Sequence, residues 1–380
     1  MIDKISFKNY KPFRDFQELE LKKITVLIGK NSSGKSAIAK LPTLIENSLS
    51  GTFDEPLLPN NNYIELGAEF SDLIYGRSPT GILEICLENQ NKKLELSIAS
   101  GTGTKDFPKI ISWQLKHSDG SIFKMESKHN FKGFILQSEN TGYSIKDLNL
   151  FIEYIGPFRV LPERGYNKPN TSKIEKIGIT GESTYSLLIQ DSLTIEESLI
   201  KKINSWYQKN FEGWGIRVNQ DKEPFYQIEL TRDFERLNIN IKDVGEGMSQ
   251  ALPLVTRALM QTVNEILIII EQPELHLHPG AHGNLAELFV DSLKEGNKKY
   301  LIETHSQNFV LRLRRLVAEG KLDKNDLMIY FVDFDEENST SNLRNIIVDD
   351  SGEVNYWPEN VFNESLDEAI AIRKAQKRKN

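Results

Sequence analysis

The first part of the chain alternates between apolar and polar positions. Two alternating runs, residues 2–7 and 16–21, precede a short apolar run at residues 24–28. A period of two is typical of strands with one buried face, so the two runs predict antiparallel strands that lead into a buried strand. Beyond residue 36 apolar positions recur at helical spacing, which predicts a helix over residues 37–45 that ends near Gly51.

Strand patterns then dominate as far as residue 150. Prolines and consecutive asparagines indicate a loop at residues 52–62. Strand-like alternation follows in a β-rich stretch, at residues 64–70, 81–87 and 93–98.

The middle of the chain mixes both patterns. A strand is predicted within residues 151–166 and breaks at Gly156-Pro157. Residues 183–211 have a helical pattern, and residues 214–243 return to strand-like alternation.

From residue 244 helical patterns alternate with short apolar runs. The predicted helices cover residues 248–263, 281–293 and 309–319, and the predicted strands cover residues 266–270, 299–303 and 327–332. Buried strands that alternate with helices are typical of a parallel sheet covered on both faces. We therefore predict an α/β fold divided into residues 1–160, an insert at 161–243, and residues 244–380.

Composition and length allow one large or two moderate domains with a sizeable core. The 380 residues are 39% apolar and 27% charged, and no apolar run approaches the roughly 20 residues of a membrane span. Because the strand pattern starts at Met1, we expect no signal peptide and a cytoplasmic location. The single cysteine, Cys86, excludes a disulfide framework and is expected to be an inert core residue.

Basic residues cluster in two places although the net charge is −7. Arg312, Arg314 and Arg315 share one predicted helix. Five more lie in the last eight residues: Arg373, Lys374, Lys377, Arg378 and Lys379. A solvated helix face and a tail are the favoured interpretation, and a small footprint for a phosphate backbone is the alternative.

Residues 29–36 fit the P-loop pattern G-x-x-x-x-G-K-[ST], between a predicted strand and a predicted helix. Two glycines allow tight turns, and backbone N–H groups at a helix N-terminus attract phosphate. Lys35 is expected to reach the β- and γ-phosphates of ATP, and the Ser36 hydroxyl to bind Mg²⁺. The predicted nucleotide-binding residues here are Gly29, Lys30, Asn31, Ser32, Ser33, Gly34, Lys35, Ser36 and Ala37.

Acidic residues and a histidine follow two other predicted strands. Glu271 ends an apolar strand, which is typical of a Walker B carboxylate that holds the water shell of Mg²⁺. His305 lies just past the next strand and can contact the γ-phosphate. Glu271 and His305 are therefore predicted catalytic residues.

Taken together, the chain resembles ABC-class ATPases of the RecF/SMC/OLD type, and among them the OLD-like AAA-family ATPases of bacterial defence systems. The resemblance covers most of the chain. It is carried by the P-loop, Tyr-Ile-Gly-Pro-Phe-Arg at 154–159, Val-Gly-Glu-Gly-Met-Ser-Gln at 244–250, Glu-Gln-Pro-Glu-Leu-His-Leu-His-Pro at 271–279, Glu-Thr-His-Ser at 303–306 and Gly-Glu-Val-Asn-Tyr-Trp-Pro at 352–358.

The resemblance implies an ABC-type P-loop ATPase head with a β-rich N-terminal lobe, a short mixed insert and a parallel-sheet C-terminal lobe. It also implies a head-to-tail dimer with two ATP molecules between the subunits. The signature segment of one subunit would cap the γ-phosphate at the partner's P-loop, through Gly245, Glu246, Gly247, Ser249 and Gln250. The implied partner is a separately encoded effector, such as a nuclease or toxin, in anti-phage defence. The alternative is a RecF-like DNA repair ATPase that binds DNA directly.

Several positions depart from the family pattern. Gln272 stands where ABC proteins normally carry the second acid, and an amide can orient water but cannot accept its proton. Either Glu274 supplies the carboxylate or hydrolysis is slow, and we expect slow turnover with a long-lived ATP-bound dimer. The signature serine is not obvious, with Gly245 or Ser249 as stand-ins, and no Q-loop glutamine can be placed in residues 62–75.

Two further readings are disfavoured. His276, His278 and His282 are spaced like metal ligands, but no cysteine is near and the resemblance already accounts for the first two. Glu319-Gly320 and Asp333-Phe334-Asp335 imitate the acidic motifs of a TOPRIM nuclease. However, Glu319 ends a predicted helix, and a second domain needs about 100 residues.

Overall fold

The structure of the chain, a computed structural model, contains both antiparallel and parallel sheets. It describes residues 1–61, 64–100, 107–126, 130–138, 141–170, 172–232, 237–358, 361–362, 368, 370–374 and 376. The helices are α1 (Lys35–Ser50), α2 (Thr184–Ser192), α3 (Ser198–Asn210), α4 (Glu246–Leu259), α5 (Pro279–Ser292) and α6 (Gln307–Ala318). The strands of residues 1–155 are β1 (Lys4–Lys8), β2 (Gln17–Glu20), β3 (Ile24–Gly29), β4 (Ile82–Glu88), β5 (Lys92–Ala99), β6 (Lys109–His117), β7 (Ile122–Glu126), β8 (Phe131–Lys132), β9 (Ile135–Leu136) and β10 (Ile152–Ile155). Those that follow are β11 (Tyr166–Asn167), β12 (Gly215–Lys222), β13 (Phe225–Arg232), β14 (Leu237–Asn240), β15 (Ile266–Glu271), β16 (Lys298–Glu303), β17 (Leu327–Asp335) and β18 (Thr340–Ile346).

The central sheet unites strands that are far apart in the chain. Its order is β10-β15-β16-β3-β17-β18, in which the first five strands are parallel and β18 is antiparallel to β17. Both faces are covered, because Val26 and Ile28 belong to one apolar cluster while Leu27 belongs to the other. The first cluster includes residues of α2 to α6, and the second includes α1 and the N-terminal strands. The predicted α/β class with a parallel sheet is confirmed.

An antiparallel sheet occupies the N-terminal part. Its order is β2-β1-β4-β5-β6-β7, and β1 pairs with β2 so that Ile5 lies opposite Leu19. The antiparallel strands predicted at residues 2–7 and 16–21 are therefore confirmed. Half-buried Cys86 lies on β4, and burial raises the pKa of its thiol to about 11, which keeps the thiol protonated.

Residues 161–243, the predicted insert, contain two helices and a small antiparallel sheet. β13 lies between β11 and β12 and also pairs with β14. The helical stretch predicted at residues 183–211 is divided into α2 and α3. The Asp191 carboxylate accepts hydrogen bonds from the N–H groups of Leu199 and Ile200, at 3.0 and 2.8 Å. This contact caps α3 and fixes the break between the two helices.

The prediction of a strand at residues 64–70 is wrong, because these described residues form no strand. Glu65 makes only an isolated bridge with Asn60, and a short 3₁₀ helix begins at Phe70. The Asp72 carboxylate accepts hydrogen bonds from the N–H groups of Ala68 and Glu69. A side chain that bonds the local backbone in this way offers it an alternative to a strand ladder.

The predicted arginine cluster is largely neutralised by the chain itself. Arg312 pairs with Glu287 at 2.5 Å, Arg315 pairs with Glu319 at 2.6 Å, and Arg314 donates to the Gly352 carbonyl. This supports a solvated helix face at the cluster. Of the basic tail, Arg373 and Lys374 are exposed, whereas Lys377, Arg378 and Lys379 lie outside the described residues. No helix in the described part of the chain has the length and apolarity to cross a membrane.

Candidate nucleotide-binding site

The P-loop connects β3 to α1 at the carboxyl edge of the central sheet. Lys30, Asn31 and Ser32 are exposed, whereas Ser33 and Lys35 are buried. The others predicted there, Gly29, Gly34, Ser36 and Ala37, are half-buried. The loop therefore presents backbone to solvent in front of a helix of 16 residues, as an anion site requires.

Two neighbouring segments shape the loop around its glycines. Gly29 has a φ of +149°, and a Cβ there would lie 2.4 Å from the Val332 carbonyl oxygen of β17. Gly34 has a φ of +102°, and a Cβ there would lie 2.7 Å from Pro12. In addition, the Ser341 hydroxyl donates to the Ser33 carbonyl at 2.7 Å. Only glycine fits these two close approaches, so the loop is held from both sides.

Lys35 is directed into the loop. Its ammonium donates to the carbonyls of Gly29 and Lys30, at 3.1 and 2.7 Å. Burial lowers the pKa of Lys35, and the nearby Glu303 opposes that shift. The ammonium is thus placed to exchange carbonyl partners for phosphate oxygens.

Glu271, the last residue of β15, is buried beside α1. Lys40 forms an ion pair with it at 3.6 Å, and Tyr154 of β10 also interacts with the carboxylate. Burial raises the pKa of Glu271, and both neighbours act in the opposite direction. One carboxylate oxygen, Oε1, is buried without a hydrogen-bond partner in the described chain.

A second carboxylate, that of Glu303, lies next to Glu271. The two residues are in register on the neighbouring strands β15 and β16. Burial raises the pKa of Glu303 and the charge of Glu271 raises it further, while Ser36 and the lysines lower it. The sequence-based prediction of site residues did not include Glu303. The signal was available, since Glu303 also ends an apolar strand.

Glu274 holds the loop that carries His305. Its carboxylate accepts hydrogen bonds from the Thr304 hydroxyl at 2.8 Å and from the His305 N–H at 2.6 Å. Burial and the charge of Lys35 lower the pKa of His305, which favours the neutral imidazole. With both oxygens engaged, Glu274 positions residues 304–306, which we call the switch loop.

Gln272 and Arg159 meet just beyond the strand ends. The Gln272 backbone has a φ of +47°, and its N–H donates to the Glu303 carbonyl at 2.8 Å. The buried Arg159 guanidinium lies 3.5 Å from the Gln272 carbonyl and 3.4 Å from the Leu275 carbonyl. Burial lowers the pKa of Arg159 to about 10. Arg159 therefore links the segment after β10 to the segment after β15.

The signature segment opens α4 away from the P-loop. Gly245 is the residue before the helix, with no atom within 4 Å of an added Cβ, and the Glu246 side chain is exposed. Ser249 and Gln250 are buried instead. The Ser249 hydroxyl donates to the Glu246 carbonyl at 3.0 Å, and the Gln250 amide donates to the Arg159 carbonyl at 3.2 Å. The structure thus leaves Gly245, Glu246 and Gly247 near solvent and commits Ser249 and Gln250 to internal bonds.

Each of the three predicted loop histidines has a separate partner. His276 contacts the Glu246 carboxylate at 3.2 Å, and His278 accepts a hydrogen bond from the Gly280 N–H. His282 is hydrogen-bonded to the Ser306 hydroxyl at 2.7 Å. Among the described residues no group of three or more His, Cys, Asp or Glu side chains could hold a metal ion.

Comparison with known families agrees with this geometry. The family described as "AAA domain, putative AbiEii toxin, Type IV TA system" (AAA_21) matches residues 24–312, more than half of the chain. The chain belongs to the AAA_21 family. Residues 322–371 match a second family, described as "Protein of unknown function (DUF3696)".

Individual relatives of this AAA_21 protein are distant in sequence. It is 24% identical to an "ATP/GTP phosphatase" of Helicobacter pylori, over 84% of this chain and 89% of that protein. Among solved structures, an SMC head bound to the C-terminal winged-helix domain of ScpA matches with 12% identity and a TM-score of 0.48, covering 92% of this chain and 98% of that one. An SMC head from Pyrococcus furiosus matches with 12% identity and a TM-score of 0.45, covering 99% of both chains.

The AAA_21 protein is an ATPase with a P-loop site built on a parallel sheet, and the predicted fold class is confirmed. Its donor set suits Mg²⁺, because Glu271 and Glu303 each have a buried oxygen without a hydrogen-bond partner in the described chain. Carboxylate and hydroxyl oxygens are the ligands that Mg²⁺ prefers alongside phosphate. Apart from Glu303, the residues that sequence reasoning missed are Lys40, Tyr154 and Arg159. Tyr154 and Arg159 lie in the 154–159 segment that carries the resemblance, and Lys40 lies on α1. No local pattern places these side chains beside Glu271 or beside the segment after β15, which are distant in sequence.

Proposed function

We propose that this ATPase is a nucleotide-gated switch. Two subunits close around two molecules of Mg²⁺–ATP, with the P-loop of one subunit facing signature residues 244–250 of the other. The closed dimer then controls a separately encoded effector protein, such as a nuclease or toxin, in defence against phage. ATP acts mainly to hold the dimer, and its hydrolysis, which is slow, opens it.

The observation that carries the dimer is the separation of the two phosphate-binding segments within one chain. The signature segment is held by Arg159 and His276, which follow β10 and β15. These strands lie three and two positions from β3 in the sheet, or about 10–14 Å at the usual strand spacing. No hydrogen bond or ion pair of the described chain joins residues 244–250 to residues 29–37. One bound γ-phosphate therefore needs the signature segment of a second subunit.

Mg²⁺ would be held by the Ser36 hydroxyl and, through its water shell, by the Glu271 carboxylate. The ion supplies positive charge to the β- and γ-phosphates. Lys35 binds the same phosphates, and the neutral His305 can donate a hydrogen bond to the γ-phosphate.

The effector is inferred from family and motif. The AAA_21 description names a toxin of a toxin–antitoxin system, and the motif around residues 271–279 resembles that of ATPases in bacterial defence systems. The net charge of −7 and the internally paired arginines of α6 disfavour the RecF-like alternative.

Sedimentation of the purified chain tests the dimer directly. With ATP and Mg²⁺ we expect a dimer, and without nucleotide we expect a monomer. Gly245→Asp should prevent the dimer, because its carboxylate would face the partner's γ-phosphate, while ATP binding by the monomer persists. Gly245→Ala is the matched control and should dimerise, since Gly245 has a φ of −58° and open space for a Cβ. A G245D protein that dimerises with ATP as the wild type does would contradict the proposal.

Two further measurements address the partner. Capture on the closed dimer, with the open monomer as the reference, should retain the effector only in the presence of ATP. An electrophoretic shift with duplex DNA should show no ATP-dependent binding. Tight, salt-sensitive DNA binding that needs ATP would instead favour the repair function.

A further inference from the structure

Glu271 and Glu303 form a pair of buried acids across two strands. They are in register on β15 and β16, and in a sheet such residues have side chains on the same face, about 4.8 Å apart at their Cα atoms. Glu271 is 6% exposed and Glu303 is 3% exposed. Two carboxylates therefore lie side by side at the sheet edge that carries the P-loop.

The surroundings do not satisfy this pair. Lys40 forms an ion pair with Glu271 Oε1 at 3.6 Å, whereas Glu303 has no ion pair within the described chain. Glu303 Oε2 is buried without a hydrogen-bond partner in the described chain, and Glu271 Oε1 has the Lys40 ion pair but no hydrogen bond there. The Ser36 side chain lies near the Glu303 carboxylate and lowers its pKa. Buried carboxylate oxygens are normally paired, so the unpartnered Glu303 oxygen, beside a second buried carboxylate that has a single ion pair, indicates a place for a further cation.

We propose that Glu303 is the second carboxylate of the divalent-cation site, acting together with Glu271 from the neighbouring strand. The inference rests on the proposed Mg²⁺–nucleotide function and adds a residue to its metal site.

Backbone geometry explains why a side chain at position 303 can reach the cation and one at position 272 cannot. Successive residues of a strand point to opposite faces, so the residue after Glu271 starts away from the cation. At Gln272 the backbone also leaves the strand, with a φ of +47°. Glu303 is still within its strand, faces the same side as Glu271 and contacts Ser36.

Binding of Mn²⁺, followed by electron paramagnetic resonance, tests the proposal without relying on turnover. The titrations use the full chain, with and without a non-hydrolysable ATP analogue. Glu303→Gln should weaken Mn²⁺ binding at least about 10-fold, the low end of the loss caused even by removing an outer-shell partner of a metal ligand. Glu319→Gln, a matched change at the exposed end of α6, should bind Mn²⁺ as the wild type does.

Binding of the analogue without metal shows whether the effect is specific to the cation. E303Q should bind the metal-free analogue at least as tightly as the wild type, since it removes a negative charge near the phosphate site. Equal loss of affinity with and without Mn²⁺ would overturn the proposal, as would wild-type affinity of E303Q for Mn²⁺. If E303Q does not fold, Glu303→Asp decides, because it keeps the charge but withdraws it by one methylene. Weaker Mn²⁺ binding by E303D supports the proposal, and unchanged binding overturns it.

The experiments distinguish failure of the proposed function from failure of the proposed role of Glu303. A wild-type chain that binds no nucleotide analogue would remove the proposed function. The titration with Mn²⁺ alone would then still decide whether Glu303 and Glu271 share a cation. Conversely, normal nucleotide binding with an unaffected E303Q would leave the proposed function standing and remove only the role of Glu303.

Discussion

Gln272 is the single residue on which the expected rate of hydrolysis depends. Its amide can orient water, and the nearest other candidate, Glu274, has both oxygens engaged by Thr304 and His305. We predict slow turnover by the wild type. Gln272→Glu should raise kcat, by as much as the roughly 100-fold that a positioned base contributes at the low end of its range, as measured by steady-state phosphate release.

The matched variant for this comparison is Glu274→Gln. It should alter the switch loop without abolishing the slow basal rate. Fast turnover by the wild type that survives Glu274→Gln would show that neither residue limits the reaction, and it would contradict the prediction.

Glu46 on α1 provides a pH-dependent test away from the nucleotide. Its carboxylate accepts a hydrogen bond from the Ile152 N–H at 2.8 Å, and burial raises its pKa. A raised folded-state pKa contributes stability that is complete below the unfolded pKa, about 4.5, and is lost as pH rises through the folded pKa. We therefore predict that Glu46→Gln, which keeps an acceptor for Ile152, gains in melting temperature relative to the wild type between pH 5 and pH 8. A difference that shrinks as pH rises would have the wrong sign.

At the scale of elements, the contact between the P-loop and β17 is critical for the conformation of the loop. An added Cβ at Gly29 would meet the Val332 carbonyl oxygen at 2.4 Å. Gly29→Ala should lower the free energy of unfolding by about 1–3 kcal/mol, the usual cost of a strained backbone conformation, and weaken ATP binding. Thermal melting and fluorescent-nucleotide binding measure the two effects.

Gly245→Ala is the control for backbone strain, because that position has open space and an ordinary φ. Its melting temperature should equal that of the wild type. If Gly29→Ala also had the melting temperature of the wild type, β17 would have to shift to make room for the added Cβ, which would contradict the prediction.

The same scale shows where sequence patterns were sufficient. β3 and α1 were predicted because their periodicity and the P-loop glycines are local signals. The strand predicted at residues 64–70 was wrong because Asp72 bonds the local backbone, and the break after α2 was missed because Asp191 caps α3. In both cases a carboxylate accepts hydrogen bonds from backbone N–H groups and so changes the local structure. The spacing of apolar residues contains no information about such bonds.

For the whole molecule, the proposed dimer predicts complementation between two defective subunits. Lys35→Ala removes the phosphate-binding ammonium, and Gly245→Asp blocks the signature segment. Each protein alone should fail to form the closed dimer. A mixture should regain it, because the mixed dimer has one site with an intact P-loop facing an intact signature segment.

Sedimentation of the one-to-one mixture with ATP measures this recovery, and a mixture of G245D with itself is the reference. If the P-loop and the signature segment of the same chain bound one nucleotide, a defect in one subunit could not be compensated by the other. Mixing would then restore no dimer, and the proposal would be contradicted.

By itself, the sequence determined the features that depend on neighbours along the chain. These are the P-loop, the apolar strands that end in acid, the α/β alternation and the histidine of the switch loop. Only the tertiary structure decided which strand ends are adjacent. β16 lies between β3 and β15 and so places Glu303 beside both Ser36 and Glu271, and Lys40 and Tyr154 join them from other elements. Strand order and register are set by packing between distant segments, so no local pattern contains them.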